Sequence, residues 1–179
     1  LGTGAFALAI SGETPPTGHD DGVLATVATR VGTRTTYALD GGVYNANSAT
    51  NWIRSIGLFA DPRELNTFRG ASAIERDIVF VPALSGLACP HWDRTAAGLW
   101  IGLGLDTQRE DLVRSALEGI ALRCAQVIAV MDARVPLADS VSVDGPLTNS
   151  RYFREFLARA LGRRVVVPSA PDLTGLGCA

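Results

Sequence analysis

Three stretches of the chain place glycines and short polar side chains where a phosphate or a nucleotide could be held. The first is Gly2-Thr3-Gly4, just ahead of an apolar run. Glycines let a backbone approach a phosphate closely, and the Thr hydroxyl can bond one of its oxygens. The same three residues also suit a plain tight turn. The second is Asp144-Gly145, with Thr148, Asn149 and Ser150 following at the head of a helical pattern. A strand–Gly–helix junction turns backbone N–H groups and the positive end of a helix toward the ligand side of a sheet. It is equally the form of an ordinary connection with N-capping residues. The third is the aperiodic stretch 83–97, which carries His91, Trp92 and Asp93. Loops of that length are often functional; the simpler reading has Trp92 anchoring the loop and His91 exposed.

Other chemistries are excluded by residue type. All 16 basic residues are Arg and none is Lys, so these residues hold neither a Walker A loop nor a Schiff-base amine. The two His, His19 and His91, are far apart, and Cys89, Cys124 and Cys178 form no CxxC pair, so no zinc site is expected. A sparse, odd Cys count fits free thiols in a reducing cytoplasm, with the cysteines as packing residues. No GxSxG motif supports a Ser-His-Asp arrangement. Asp20, Asp21 and Asp106 read as solvated turn residues, and Trp52 and Trp100 as core. The net charge is −2, with 16 basic and 18 acidic residues spread along the chain, which leaves no basic patch for nucleic acid and no basic amphipathic run for a membrane surface. No apolar run reaches the roughly 18 residues of a membrane span.

The elements that must position these residues follow from periodicity. At 179 residues and 47% apolar, the chain can bury one substantial core. Short apolar runs at 3–10, 23–31 and 35–39, with a Pro- and Gly-bearing loop at 12–22, predict an antiparallel meander. From Gly41 the period changes: Val43, Ala46, Ala49, Trp52, Ile53 and Ile56 fall on one helical face. Asp61-Pro62 reads as the start of a short helix over 61–69. Strands are expected at 78–81 and 98–105. Thr107 and Glu110 suggest a capping box before a long helix with Leu112, Ala116, Ile120, Cys124, Val127 and Met131 on its apolar face. A strand at 139–143, a helix at 148–161 stopped by Gly162, a strand at 164–167 and a helix start at Thr174-Gly175 complete the pattern. The class is α/β, with a mixed sheet and helices on both faces. The only Met is Met131, and the chain stops in a helix-start pattern at Gly177-Cys178-Ala179, so it is expected to be a piece of a longer polypeptide, cut at both ends.

The order of these segments resembles the C-terminal half of the FGGY carbohydrate kinases, most closely those that phosphorylate glycerol. The resemblance spans nearly the whole chain and is strongest over GLWIGLGLDTQREDLVRSALE, residues 98–118, which fits the second family signature without a gap. FVPALSGLACPHWDRTAAG (80–98), TGAF (3–6), VYNANSATNWIRS (43–55), VDGPLTNS (143–150) and LTGLGCA (173–179) resemble further family segments. The resemblance implies an actin-like ATPase domain of the ribonuclease-H-like kind, with residues 1–179 as the nucleotide-binding lobe and the substrate-gripping N-terminal lobe absent. It implies ATP and Mg2+ as cofactors. It assigns Thr3 and Gly4 to the phosphates, Asn47 and Asn51 to the nucleotide side of their helix, and Gly145 and Ser150 to the adenosine. Phe6 is placed against the carbon skeleton of a small polyol such as glycerol. No catalytic residue is assigned within the chain, because the family's base Asp lies upstream; the fragment alone is expected to be inactive. Asn47 stands where the family usually has Gly, Asn51 where it has Gln, and Pro146 where it has the second Gly of DGG. Pro deletes that amide donor, and Arg159 lies in a helix end that is usually acidic. The resemblance also implies a cytoplasmic homo-oligomer, a dimer or tetramer, without nucleic-acid or membrane partners. The alternatives are another FGGY sugar kinase, of the xylulose, ribulose or gluconate type, and a non-catalytic nucleotide-binding relative.

Overall fold

A computed structural model of the chain describes residues 1–17 and 22–169. His19, Asp20, Asp21, Cys178 and the helix start expected at Thr174-Gly175 lie outside the described residues. Strands β1 (Ala5–Gly12), β2 (Leu24–Val31) and β3 (Arg34–Val43) form an antiparallel sheet. Its order is β1-β3-β2, which corrects the expected meander. The reason is the turn chemistry. Two residues link Val31 to its partner Arg34, and Gly32 takes the left-handed φ of 59° that such a hairpin needs. β3 is also the longest strand and is buried over its last residues, so it takes the centre and β1 pairs with its other edge, Ala5 opposite Val43. Along β1 the side chains alternate: Ala5 and Ala9 are buried, while Phe6, Leu8 and Ile10 are exposed.

Helix α1 (Asn47–Ser55) begins only after β3 has run to Val43. Ala46, Ala49 and Ile53 are buried as the helical face predicts, but Ile56 lies past the helix end and is exposed. Trp52 is partly buried and packs against the contacting pair Phe80 and Trp100, at centroid distances of 6.4 and 5.6 Å. The helix expected over 61–69 is a single 3₁₀ turn, Pro62–Leu65, because Asn66 and Thr67 offer no apolar face to continue it. Asp61 caps this turn; hydrogen bonding from Arg63 lowers its carboxyl to about 2. A second 3₁₀ turn, Ile74–Arg76, leads into β4 (Val79–Val81), which pairs antiparallel with β5 (Leu99–Ile101). β5 is shorter than the 98–105 run, since Gly102 bends the chain at φ 80°.

Helix α2 (Arg109–Arg134) is the central element. Its first turn differs from the expected Thr107/Glu110 box. Asp111 accepts from the Gln108 amide at 2.8 Å, Thr107 Oγ1 accepts from the Gly104 amide at 2.9 Å, and Glu110 accepts from the Arg69 amide at 2.9 Å. Ala116, Ile120, Val127 and Met131 are fully buried, and Val113, Leu117 and Ala121 are as well, so the buried surface is wider than one stripe. Gly119 lets the helix lie against β4, because a Cβ there would sit 2.1 Å from the Phe80 carbonyl oxygen. Beyond α2, β6 (Ser140–Ser142) and β7 (Arg164–Val166) form a parallel pair joined through α3 (Arg151–Leu161). The helix expected from 148 starts as a 3₁₀ turn, Pro146–Asn149, and only then becomes α3, which ends at Gly162 in left-handed conformation. The strands therefore form three separate pieces of sheet among the described residues.

A buried polar cluster ties these pieces together. Glu118 is 2% exposed and accepts from the Ala73 and Ile74 amides, each at 2.9 Å. It also accepts from the Tyr152 hydroxyl and pairs with Arg114 at 3.2 Å. Arg114 Nε donates to Tyr152 at 2.8 Å, and its Nη1 donates to the carbonyls of Arg69, Gly70 and Ala71. Replacing Glu118 by Ala leaves a buried guanidinium without its anion and is expected to cost about 3–5 kcal/mol, read from urea melts. The Tyr152 hydroxyl is raised to about 12 by burial and by its bond to Glu118. Its folded value lies above the unfolded value of about 10, so its contribution is whole below pH 10 and is lost as pH rises toward 12. Tyr152→Phe is expected to flatten the alkaline decline in stability between about pH 10 and about pH 12, the span that these two values set.

Candidate functional site

The N-terminal segment crosses the head of α1 as a strap. The Gly2 carbonyl accepts from the Asn47 amide at 3.2 Å, and the Thr3 carbonyl accepts from the amides of Ala46 (3.2 Å) and Ser48 (3.1 Å). On its other side the Leu1 nitrogen donates to the Asp144 carbonyl at 2.8 Å. Gly145 lies so close that a Cβ there would fall 2.5 Å from the Leu1 carbonyl oxygen. The strap, the head of α1 and the 144–146 turn, far apart in sequence, therefore meet at one place.

Beside them is a cavity of about 420 Å³ lined by Asn47, Asn51, Arg54, Asn66, Pro146 and Ser150, among others. The structure thus brings together three of the predicted nucleotide residues, Asn47, Asn51 and Ser150. Thr3, Gly4 and Gly145 flank it at the strap and do not line it. Thr3 is exposed, and its side chain makes no hydrogen bond among the described residues. Gly4 is buried; a Cβ there would sit 2.8 Å from the Val43 carbonyl oxygen, so its role is close packing of backbone. Phe6 lies elsewhere, 74% exposed on the open face of β1, with its ring over Gly42.

The polar capacity of the cavity is unevenly free. Ser150 is 4% exposed; its hydroxyl donates to the Leu65 carbonyl at 2.5 Å and accepts from the Phe153 amide at 3.1 Å as the cap of α3. Asn66 Oδ1 accepts from the Arg151 amide at 2.7 Å. The side chains of Asn47, Asn51 and Arg54 line the cavity without a hydrogen bond of their own among the described residues, although the Arg54 charge acts on Asp61, and they can bond a ligand. Arg63, on the far wall, is paired with Asp61. Arg54 and Asn66 were not picked out from sequence. Arg54 follows Asn47 and Asn51 by helical steps, a signal that was available; Asn66 follows a 3₁₀ turn and carried none.

The loop 83–97 is held by its own bonds. Asn45 Oδ1 accepts from the Ser85 amide (3.0 Å) and hydroxyl (2.9 Å). Asp93 accepts from the Thr95 hydroxyl and amide, which lower its carboxyl. Trp92 anchors the loop by donating to the Gly22 carbonyl at 2.7 Å, yet it is 42% exposed and lies at the surface, not in the core. His91 is exposed beside Gln126. Cys89 is buried and Cys124 is held in apolar surroundings, where burial pushes its thiol to about 12. Among the described residues no group of three His, Cys, Asp or Glu could hold a metal ion, and no helix is long and apolar enough to cross a membrane.

The chain belongs to the FGGY family of carbohydrate kinases: the family's C-terminal domain matches residues 1–179. Its fold is the actin-like, ribonuclease-H-like ATPase fold of that family. Among individual proteins, it is 36% identical over 179 residues to a glycerol kinase of Thermus brockianus and 37% identical over 180 residues to one of Thermococcus gammatolerans. In both cases 99% of this chain aligns, and the chain spans 36% of the relative's length. The crystal structure of Plasmodium falciparum glycerol kinase with ADP superposes with a TM-score of 0.84 at 26% identity, over 99% of this chain and 36% of that one. A xylulose kinase of Lactobacillus acidophilus shares the fold, with a TM-score of 0.80 at 23% identity over 96% of this chain and 34% of that one.

Gly145 holds φ 100° and ψ 172°, a region open in practice only to glycine. Gly145→Ala is expected to cost about 1–3 kcal/mol in a urea melt and to release the Leu1–Asp144 contact.

Proposed function

We propose that this chain is the nucleotide-binding lobe of an ATP-dependent polyol kinase that transfers the γ-phosphoryl group to a terminal hydroxyl of glycerol. The observation that supports it best is the convergence of three distant segments, at 2–4, 47–51 and 145–150, on one cavity and its rim. Thr3 and the strap backbone face the phosphates. Asn47 and Asn51 offer free amides on the nucleotide side of α1, and Gly145 and Ser150 bound the adenosine. Ser150 acts there through its position, since both its donor and one acceptor site are already used. Phe6 supplies an exposed apolar ring for the polyol skeleton.

Phosphoryl transfer needs positioning, charge compensation and a base near the attacking hydroxyl. The base is an Asp of the N-terminal lobe. Closure of that lobe on this one excludes water and limits idle ATP hydrolysis. Mg2+ enters with the nucleotide. Among the described residues no group of three His, Cys, Asp or Glu offers a cation site of its own. The full-length enzyme is a cytoplasmic homo-oligomer in this reading.

The test is ADP release by the full-length protein with MgATP against glycerol, xylulose, ribulose and gluconate. Saturable turnover on glycerol supports the reading; turnover on another of the four moves it to that substrate. ADP binding without turnover on any identifies a non-catalytic relative. Thr3→Val in the full-length protein removes a hydrogen bond to a charged phosphate and is expected to raise the nucleotide KM or lower kcat by about tenfold to a hundredfold. Unchanged kinetics would take Thr3 out of the site.

A further inference from the structure

Helix α1 has no side-chain cap of its own. Ala46 stands at its N-cap position and carries no acceptor that could serve. The first amides of a helix have no intrahelical partner and must find one elsewhere. Here the strap supplies it: the Gly2 and Thr3 carbonyls take the amides of Ala46, Asn47 and Ser48. The strap is therefore the cap, and strap and helix head hold each other. α1 has nine residues and carries Asn47, Asn51 and Arg54, so its placement sets where three of the cavity's polar side chains lie. A helix that short keeps its place through tertiary contacts and not through propensity.

The contact that holds this junction from outside comes from Asn45, one position before the cap. Asn45 is 8% exposed and does not line the cavity. Its side-chain amide is engaged in two directions. Nδ2 donates to Ser48 Oγ at 3.3 Å, across the first turn of α1. Oδ1 accepts from the Ser85 amide and hydroxyl, at 3.0 and 2.9 Å. Ser85 belongs to the loop 83–97, which is closely folded on itself at that point. Gly86 has φ 86°, a Cβ there would lie 2.8 Å from the Asp93 carbonyl oxygen, and the same carbonyl accepts from the Leu87 amide at 2.7 Å. Tyr44 meets the Trp92 ring edge-on at 6.4 Å, and Trp92 is tied in turn to the Gly22 carbonyl. The loop thus grips residues 44 and 45, the strap grips residues 46–48, and the Asn45 amide is the hydrogen-bonded joint between them. A buried amide engaged at both ends specifies one geometry, because a shift of α1 against the loop would leave a buried polar group unpaired.

We propose that Asn45 is a positioning residue of the nucleotide site: it braces the first turn of α1 against the loop 83–97 and so keeps the helix in register with the strap around a bound nucleoside di- or triphosphate. This rests on the reading of the chain as the nucleotide-binding lobe of a kinase. Asn45 touches no ligand and acts through Ser48 and the strap. The loop 83–97 then serves the site as an abutment, a role that does not call on His91 as a catalytic group.

The test uses the full-length protein. ADP affinity is read by titration calorimetry, and the KM values for MgATP and for glycerol are read from turnover. Asn45→Leu occupies similar space and removes both sets of hydrogen bonds. It is expected to weaken ADP binding and to raise the KM for MgATP by about tenfold, the scale of one buried hydrogen-bonded position, with the KM for glycerol unchanged. Asn45→Asp keeps acceptors for both Ser85 donors and accepts from the Ser48 hydroxyl in turn, so it is expected to return ADP affinity to within about twofold of the wild type. A lower melting temperature in Asn45→Leu, with ADP affinity and both KM values unchanged, would make the joint merely structural and overturn the proposal. A failure of Asn45→Asp to rescue would do the same. If Asn45→Leu does not fold, Ser85→Ala decides: it removes one hydroxyl bond and is expected to weaken ADP by about threefold, and an unchanged affinity overturns the proposal. A wild-type protein that binds no ADP overturns the kinase reading as well, whereas wild-type binding that Asn45→Leu leaves intact overturns this proposal alone.

Discussion

The carboxylate of Glu118 is the point on which the rest of the molecule depends. It lies in the middle of α2, out of water, and an anion there is tolerable only when its lone pairs are filled. Two backbone amides, a phenol and a guanidinium fill them. Arg114 lies one turn earlier on the same helix, and the other partners come from distant segments. Ala73 and Ile74 fix the segment that leads into β4, Tyr152 fixes α3, and Arg114 carries the constraint back to the carbonyls of residues 69–71. Since α3 is capped by Ser150 and Ser150 bonds the Leu65 carbonyl, the far wall of the cavity inherits its position from this buried pair. The pair has a specifying role more than a stabilising one: desolvation offsets much of its attraction, while loss of one member leaves the other buried alone.

This gives the best-matched stretch of the sequence a physical meaning. Within residues 98–118, Trp100 Nε1 donates to Ser115 Oγ at 3.0 Å, Asp111 pairs with Arg76, and Arg114 and Glu118 form the buried cluster. None of these residues lines the cavity beside the strap. The signature therefore identifies the family through its scaffold. The cavity is built from less distinctive segments, and there the chain carries its own residues, with Asn47 and Pro146 on the walls.

What was legible in the sequence follows the same division. Elements with strong period or punctuation were placed well: β2, α2, the stop of α3 at Gly162, and the cap of the turn at Asp61. The meander was misread because strand order depends on which neighbour closes the tighter turn, and Gly32 decides that locally while β1 must come back from a distance. The Thr107/Glu110 box was misread because both members are claimed elsewhere, Thr107 by the Gly104 amide in the turn before the helix and Glu110 by the distant Arg69 amide, while Asp111 reaches back to the Gln108 amide. At the site, Asn47 and Asn51 came from the resemblance to the family, which places them on the nucleotide side of their helix. Asn66 was not found, since only the folded chain brings the end of a 3₁₀ turn beside Ser150.

The bond between Leu1 and Asp144 spans 143 residues. Contacts so distant in sequence form late, because the closure entropy of the whole intervening chain has to be met first. During synthesis the strap can reach its seat only after the 144–146 turn has emerged from the ribosome, behind α2 and ahead of α3. The order of events is therefore written into the topology. The scaffold around β4 and α2 can consolidate on a growing chain, whereas the rim of the cavity closes as one of the last acts of folding, and a chain interrupted before that turn has a core without a mouth.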